Sequence, residues 1–254
     1  MEIKDKVAIV TGASRGMGRA IAKLLVAEGA RVALIAKNES TLQAVVAEIE
    51  FQGGQALALP TDITSAKEVE AMVQTVVSHF HRIDILVNNA FWGPPASLEA
   101  TTEELWDRTI DTTLKGPYLC TRAVFAVMKK QHSGRIINIG SLAGKIGEDN
   151  RTAYCAAKWG LEGLTAALSV EMLKYNIHVH LISPAATYTS FWDENMPNID
   201  QSIIDKMIPV QTIAETVCWV IKQPDQVHIP DVPVYNYRNC FEITPSHPQI
   251  NRTF

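Results

Sequence analysis

The sequence predicts an α/β protein built on a doubly wound parallel β-sheet with helices on both faces. Three observations carry that expectation. Short runs rich in Val and Ile recur along the chain, apolar throughout, as strands buried on both faces are. Longer stretches with apolar residues at helical spacing separate them. The first apolar run also leads through a glycine-rich turn directly into a helix. With 254 residues, 47% of them hydrophobic, the chain can bury one core of that size.

The elements follow in order. Val7–Thr11 is the first expected strand, and helix Gly16–Glu28 after it stops at Gly29. Strand Arg31–Ala36 leads to helix Ser40–Gln52, which stops at Gly53 and Gly54. Strand Gln55–Leu59 precedes helix Ser65–Phe80. Strand Ile83–Asn88 precedes two helices, Thr102–Lys115 and Pro117–Gln131. Strand Arg135–Ile139, helix Thr152–Tyr175, strand His178–Ser183, helix Thr212–Lys222 and a seventh strand, Val232–Tyr235, complete the series. No repeat or linker interrupts it, so residues 1–235 read as one domain. Two regions escape the alternation. Residues 188–207 follow the sixth strand, where an insertion is expected to form a substrate lid. The tail, residues 236–254, holds Phe241, Ile243 and Ile250 between prolines 245 and 248. It is either an arm packed on the body or on a neighbour, or a loose end.

Composition excludes several functions. A net charge of −4 gives no basic footprint for nucleic acid. No apolar run is long enough to span a bilayer. Cys120, Cys155, Cys218 and Cys240 are scattered without a CxxC pair, which predicts reduced thiols in a cytoplasmic protein. His178 and His180 share one strand face, and His79 and His81 end a helix. No Cys, Asp or Glu at ligand spacing accompanies either pair, so no metal is expected.

The chemistry begins at Thr11-Gly-Ala-Ser-Arg-Gly-Met-Gly18. Gly12 permits the tight turn, Gly16 lets backbone approach a diphosphate, and Gly18 allows close helix–strand packing. The helix start offers free N–H groups to phosphate. Gly12, Ser14, Arg15, Gly16, Met17 and Gly18 are therefore the expected dinucleotide contacts. An acid ending the second strand would hold a free ribose 2′-hydroxyl and repel a 2′-phosphate. This strand instead ends Leu34-Ile-Ala36 and continues with Lys37, with Arg15 inside the loop. Two cations without that acid favour NADP(H) over NAD, although Glu39 lies close and both cations could be ordinary surface charges.

The spacing TGxxxGxG resembles the fingerprint of the short-chain dehydrogenase/reductase family. The resemblance continues in order through Asp62, Asn88-Asn-Ala90, Ser141, Tyr154-Cys-Ala-Ala-Lys158 and Ser183-Pro184, covering residues 5 to 222. It implies a single-domain Rossmann fold and an enzyme that interconverts a carbonyl and an alcohol by hydride transfer. It implies cofactor contacts at Asp62, Ile63, Asn89, Ala90, Pro184 and Thr189, with Asp62 at the adenine. Asp62 has a plainer reading as a helix cap. The resemblance also implies a symmetric oligomer, homodimer or homotetramer, through helices Pro117–Gln131 and Thr152–Tyr175.

Tyr154 and Lys158 stand four apart on a helix and share a face. A tyrosine near pKa 10 is a poor base at neutral pH, and a neighbouring ammonium favours the phenolate. The resemblance makes Tyr154 the proton donor, Ser141 the residue that polarises the substrate oxygen, and Lys158 a further contact of the nicotinamide ribose. Three positions depart from the family pattern. Thr113 stands where an asparagine is expected to hold a relay water, so it is the expected fourth catalytic member. Phe91 and Ala185 both stand where glycine is usual. Phe91, Trp92, Leu142, Ile146, Tyr188 and Trp192 are the expected substrate wall, with core packing the alternative for its aromatics. The departures keep a rival open, a catalytically weakened NADP(H)-binding sensor or scaffold. A dehydratase or epimerase is a third reading, disfavoured by the short C-terminal segment.

Overall fold

A computed structural model describes residues 1–195 and 198–236. The first strand, β1 (Val7–Thr11), is buried along its whole length, with Ala8 and Val10 in one core cluster and Val7 and Ile9 in the other. That alternation shows a sheet covered on both sides. The elements after it are α1 (Gly16–Ala27), β2 (Arg31–Ala36), α2 (Glu39–Phe51), β3 (Gln55–Pro60) and α3 (Ala66–Phe80). Then come β4 (Ile85–Asn88), α4 (Glu103–Ile110), α5 (Gly116–Gln131), β5 (Gly134–Ile139) and α6 (Thr152–Leu173). The series ends with β6 (Ile177–Pro184), α7 (Ser190–Asn195), α8 (Gln201–Ile204), α9 (Val210–Ile221) and β7 (Asp231–Val234).

Among the described residues the seven strands form one parallel sheet in the order β3-β2-β1-β4-β5-β6-β7. One core packs α1, α2 and α9 on the sheet, and the other packs α3, α5 and α6. The order reverses between β1 and β4. A crevice opens there at the carboxyl ends of the strands, where such sheets bind ligands.

The structure moves several expected boundaries. The fourth strand starts at Ile85, and Asp84 before it bonds to both neighbouring strands, its N–H to Val7 and its carbonyl to Arg135, each at 2.9 Å. Its buried carboxylate takes Arg82 at 2.7 and 2.8 Å and the N–H of Val7 at 3.0 Å. The helix expected over Thr102–Lys115 breaks at Asp111–Lys115 into a π-helical turn, in which Gly116 donates to the carbonyl of Asp111. Pro117 supplies a reason. It has no N–H for the carbonyl four residues earlier, that of Thr113, so the α ladder cannot run through. Within residues 188–207 lie α7 and α8, while Pro197 and the anchors expected in the tail, Phe241, Ile243 and Ile250, fall outside the described residues.

Candidate active site

The glycine loop closes the crevice from below. Gly12 has φ +65° and Gly16 φ +54°, the left-handed region glycine occupies without strain. A Cβ on Gly18 would lie 2.2 Å from the carbonyl oxygen of Gly12 and 2.5 Å from Nδ2 of Asn89, so only glycine fits. Asn89 fastens the loop by donating to the carbonyls of Thr11 at 2.9 Å and Gly12 at 3.3 Å. The Thr11 hydroxyl in turn accepts from the N–H groups of Asn89 and Ala90, both at 3.0 Å. Helix α1 begins with no side-chain cap and no acid in its first turn, leaving its N–H groups for an anion.

A cavity of about 450 Å³ opens beside this loop. The cofactor positions Gly12, Ser14, Arg15, Gly16, Met17, Asn89, Ala90, Pro184 and Thr189 line it, as do Ser141, Tyr154 and Lys158. The expected wall residues Phe91, Trp92, Leu142, Ile146 and Trp192 line it as well. Lys37, Asp62 and Ile63 do not. Lys37 Nζ lies 2.6 Å from Asp62 Oδ2, and Asp62 also accepts from the N–H and hydroxyl of Thr64. Ile63 is buried against Gly116, and the helix cap next to Asp62 is Ser65. Arg15 is likewise paired, with Glu194. The two cations expected to stand ready for a phosphate thus each hold a carboxylate of the chain itself.

Ser141 sits one residue beyond Gly140, which follows β5, and its hydroxyl accepts from the N–H of Ala143 at 3.2 Å. A hydrogen bond joins it to Tyr154. Helix α6 carries Tyr154 and Lys158 on one buried face. Lys158 Nζ donates to the carbonyl of Ile139 at 2.7 Å, which ties the helix to the end of β5. Burial, reinforced by the charge of Arg151, pushes the Lys158 pKa down to about 7. Burial raises that of Tyr154, against the opposing effects of Arg151 and the Ser141 hydrogen bond. The cation acting on the tyrosine is therefore Arg151. Its Cζ lies 4.2 Å from the ring centroid, whereas Lys158 Nζ lies 5.6 Å away.

Two expectations need correction. Thr113 is buried outside the cavity, and its hydroxyl is spent on the main chain of Trp92. It donates to that carbonyl at 2.9 Å and accepts from that N–H at 3.2 Å. It holds the Phe91–Gly93 loop in place, its one donor and one of its two acceptor sites being engaged there. Tyr188 does not line the cavity. Its main-chain N–H donates to the carbonyl of Ile208, and its side chain is partly exposed.

The sequence reading missed Arg151, Phe191 and Glu194, which also line the cavity. Phe191 packs tilted against Phe91 with ring centroids 5.5 Å apart, and Phe91 meets the Tyr154 ring at 5.9 Å. Only Arg151 left a usable signal, a cation three residues before Tyr154 on the same helical face.

Comparisons with known proteins agree with this geometry. A family model described as short chain dehydrogenase matches residues 6–200. The chain is 37% identical over 231 residues to a 3-oxoacyl-[acyl-carrier-protein] reductase of Synechocystis, covering 88% of this chain and 92% of that protein. It is 36% identical to the (2S)-[(R)-hydroxy(phenyl)methyl]succinyl-CoA dehydrogenase subunit BbsD of Thauera aromatica, covering 85% and 86%. Among solved structures, a metagenomic short-chain oxidoreductase in complex with NADP superposes with TM-score 0.81 at 35% identity, covering 92% of this chain and 98% of that one. Levodione reductase superposes with TM-score 0.85 at 28% identity, covering 92% and 97%. With its fold, its glycine loop and this match across most of its length, the chain belongs to the short-chain dehydrogenase family of oxidoreductases.

Proposed function

We propose that the protein is an NADP(H)-dependent oxidoreductase that interconverts a ketone or aldehyde with its alcohol, using Tyr154 as general acid and base. The observation that carries this reading is one cavity lined by both the uncapped glycine loop and the Ser141–Tyr154–Lys158 cluster. A dinucleotide fits the chain's own features. Gly12 and Gly16 line the cavity at the uncapped start of α1, where free N–H groups suit a diphosphate, and the buried Oδ1 of Asn89 has no hydrogen-bond partner among the described residues. The cofactor supplies or accepts the hydride. Ser141 and Tyr154 hold the substrate oxygen, and Tyr154 gives it a proton as negative charge develops there. Lys158, poised near neutrality, is the adjacent group that can return a proton.

The 2′-phosphate form is favoured by the absence of an acid ending β2, by Lys37 just beyond it, and by the NADP-bound relative. Residues 188–207 act as the lid, since Phe191, Trp192 and Glu194 of α7 reach the cavity. A symmetric dimer or tetramer would cover exposed Tyr118 of α5 and Trp159 of α6. The test is NADPH oxidation across a panel of ketones and aldehydes, with NADH in parallel. Turnover that prefers NADPH supports the reading. Tight NADPH binding without turnover of any carbonyl or alcohol would replace it with the sensor.

A further inference from the structure

We infer that the site takes carbonyl substrates bearing a free carboxylate a few bonds from the carbonyl, and that Arg151 is the residue that binds it. The inference rests on the oxidoreductase reading above and specifies its substrate class.

Arg151 occupies the position just before α6, where its long side chain could reach into solvent. It folds inward instead, and the side chain is only 14% exposed. The guanidinium lies across the Tyr154 ring, its Cζ 4.2 Å from the ring centroid, and both residues line the cavity. One donor is committed: Nη1 gives a hydrogen bond to the carbonyl of Gly93 at 3.1 Å. A backbone bridge between Ala96 and Arg151 fixes the main chain from which the side chain leaves. Nε faces Glu148 at 3.7 Å, beyond hydrogen-bond length, and Nη2 donates to no described residue.

The guanidinium therefore keeps unused donors in a cavity whose nearby walls are Phe91, Leu142, Ile146 and Phe191. A planar fork with free donors in apolar surroundings is built for bidentate capture of a carboxylate. Two carboxylates of the chain also face the cavity. Glu194 is taken by Arg15, and Glu148 partly offsets Arg151. An entering carboxylate would meet Arg151 at hydrogen-bond distance, closer than Glu148 does, and would sit within a few bonds of an oxygen held by Ser141 and Tyr154.

The experiment compares 3-oxobutanoate with its methyl ester, NADPH oxidation being followed for wild type, Arg151→Met, Arg151→Lys and Glu148→Gln. Wild type should favour the acid. Arg151→Met should lower the acid-to-ester ratio of kcat/KM by at least about thirtyfold, the loss typical of removing one partner of a buried charge pair. Arg151→Lys should restore part of that ratio, and Glu148→Gln should lower KM for the acid. A wild-type ratio near one, or a fall in both substrates that leaves the ratio unchanged in Arg151→Met, would overturn the carboxylate site while leaving the oxidoreductase intact. Malonate, which cannot be reduced, gives a readout independent of turnover. It should raise the melting temperature of wild type and of Glu148→Gln but not of Arg151→Met. An unresponsive wild type overturns the inference even if no substrate of either kind is reduced.

Discussion

The two ends of the β5–β6 pair hold buried polar clusters made in the same way and fitted for different work. At the carboxyl end, Lys158 is bound to the carbonyl of Ile139 beside Ser141 and Tyr154. At the amino end, Arg135 pairs in register with His178, and the rings of His178, His180 and His228 lie 5.4 to 6.1 Å apart. Burial depresses basicity at both ends, to about 7 for Lys158 and about 4 for His178 and His180. The first cluster opens on a cavity. The second bonds to its own neighbours and lines no such cavity: Arg135 holds Asp225, His180 Nδ1 meets the carbonyl of Ile229 at 2.7 Å, and His178 Nε2 meets Asn176 Oδ1 at 3.2 Å. His178 Nδ1 and His180 Nε2 have no partner among the described residues. Depressed basicity gives chemistry only where a reacting group can enter. Elsewhere it is a condition on stability.

The sharpest way to break this comparison is Tyr154→Phe, which removes the reactive hydroxyl and keeps the ring packed against Phe91. Turnover should fall by at least about 10²–10⁴-fold, the usual contribution of a general acid. NADPH affinity, read by fluorescence titration, should stay close to wild type. A variant with wild-type kcat would show that the open cluster is not the reacting one.

The closed cluster should announce itself in acid. The folded pKa values of His178 and His180 lie below the unfolded value of about 6.5, so the unfolded chain binds more protons in between. Stability is full above pH ~6.5, falls as pH drops toward ~4, and changes no further from these groups below that. Each histidine would contribute about 3 kcal/mol across that window, at roughly 1.4 kcal/mol per pKa unit. Urea melts at several pH values should show the slope, and the double variant His178→Leu/His180→Leu should flatten it. A slope unchanged in that variant would assign the acid sensitivity to other groups.

Thr113 tests whether a residue behind the open cluster acts by holding its loop. Thr113→Val keeps the shape but strands the N–H and carbonyl of Trp92, a cost of about 1–3 kcal/mol for a buried polar group left unpaired. Melting temperature should drop and KM should rise, and Thr113→Ser should recover both. If Thr113→Val lowers kcat alone, with stability and KM unchanged, its hydroxyl serves proton transfer instead.

The smallest effect is expected at the rim, where Arg15 and Lys37 are exposed and already paired. A 2′-phosphate must displace Glu194 and Asp62, so the net gain from each cation is modest. The double variant Arg15→Ala/Lys37→Ala should reduce the NADPH-over-NADH affinity ratio by about tenfold, equivalent to about 1.4 kcal/mol. An unchanged ratio would place the discrimination elsewhere.

Much of the fold was legible because parallel strands buried on both faces leave uninterrupted apolar runs. Val7–Thr11 and Arg31–Ala36 were bounded correctly from sequence alone. The glycine loop, Ser141, Tyr154 and Lys158 were legible for a related reason, since their spacing is local or set by one helix face. The break at Asp111–Lys115 was not foreseen, although Pro117 was in plain view, because helical spacing alone does not show which carbonyl loses its donor.

What the sequence determined by itself was the order of elements, the glycine loop and the Ser141, Tyr154 and Lys158 positions that line the cavity. Only the tertiary structure decided how the polar groups pair. Thr113 was expected to hold a water, and packing sets its hydroxyl on the main chain of Trp92. Arg15 and Lys37 were expected to favour a 2′-phosphate, and each is paired with a carboxylate, in Arg15's case 179 residues away in the chain. Arg151 drew no attention in sequence, yet it lies across the ring of Tyr154. The physical reason is common to all three. Periodicity and motif spacing report the backbone conformation near a residue, whereas a hydrogen bond or ion pair depends on which distant side chain the packing brings within reach of it.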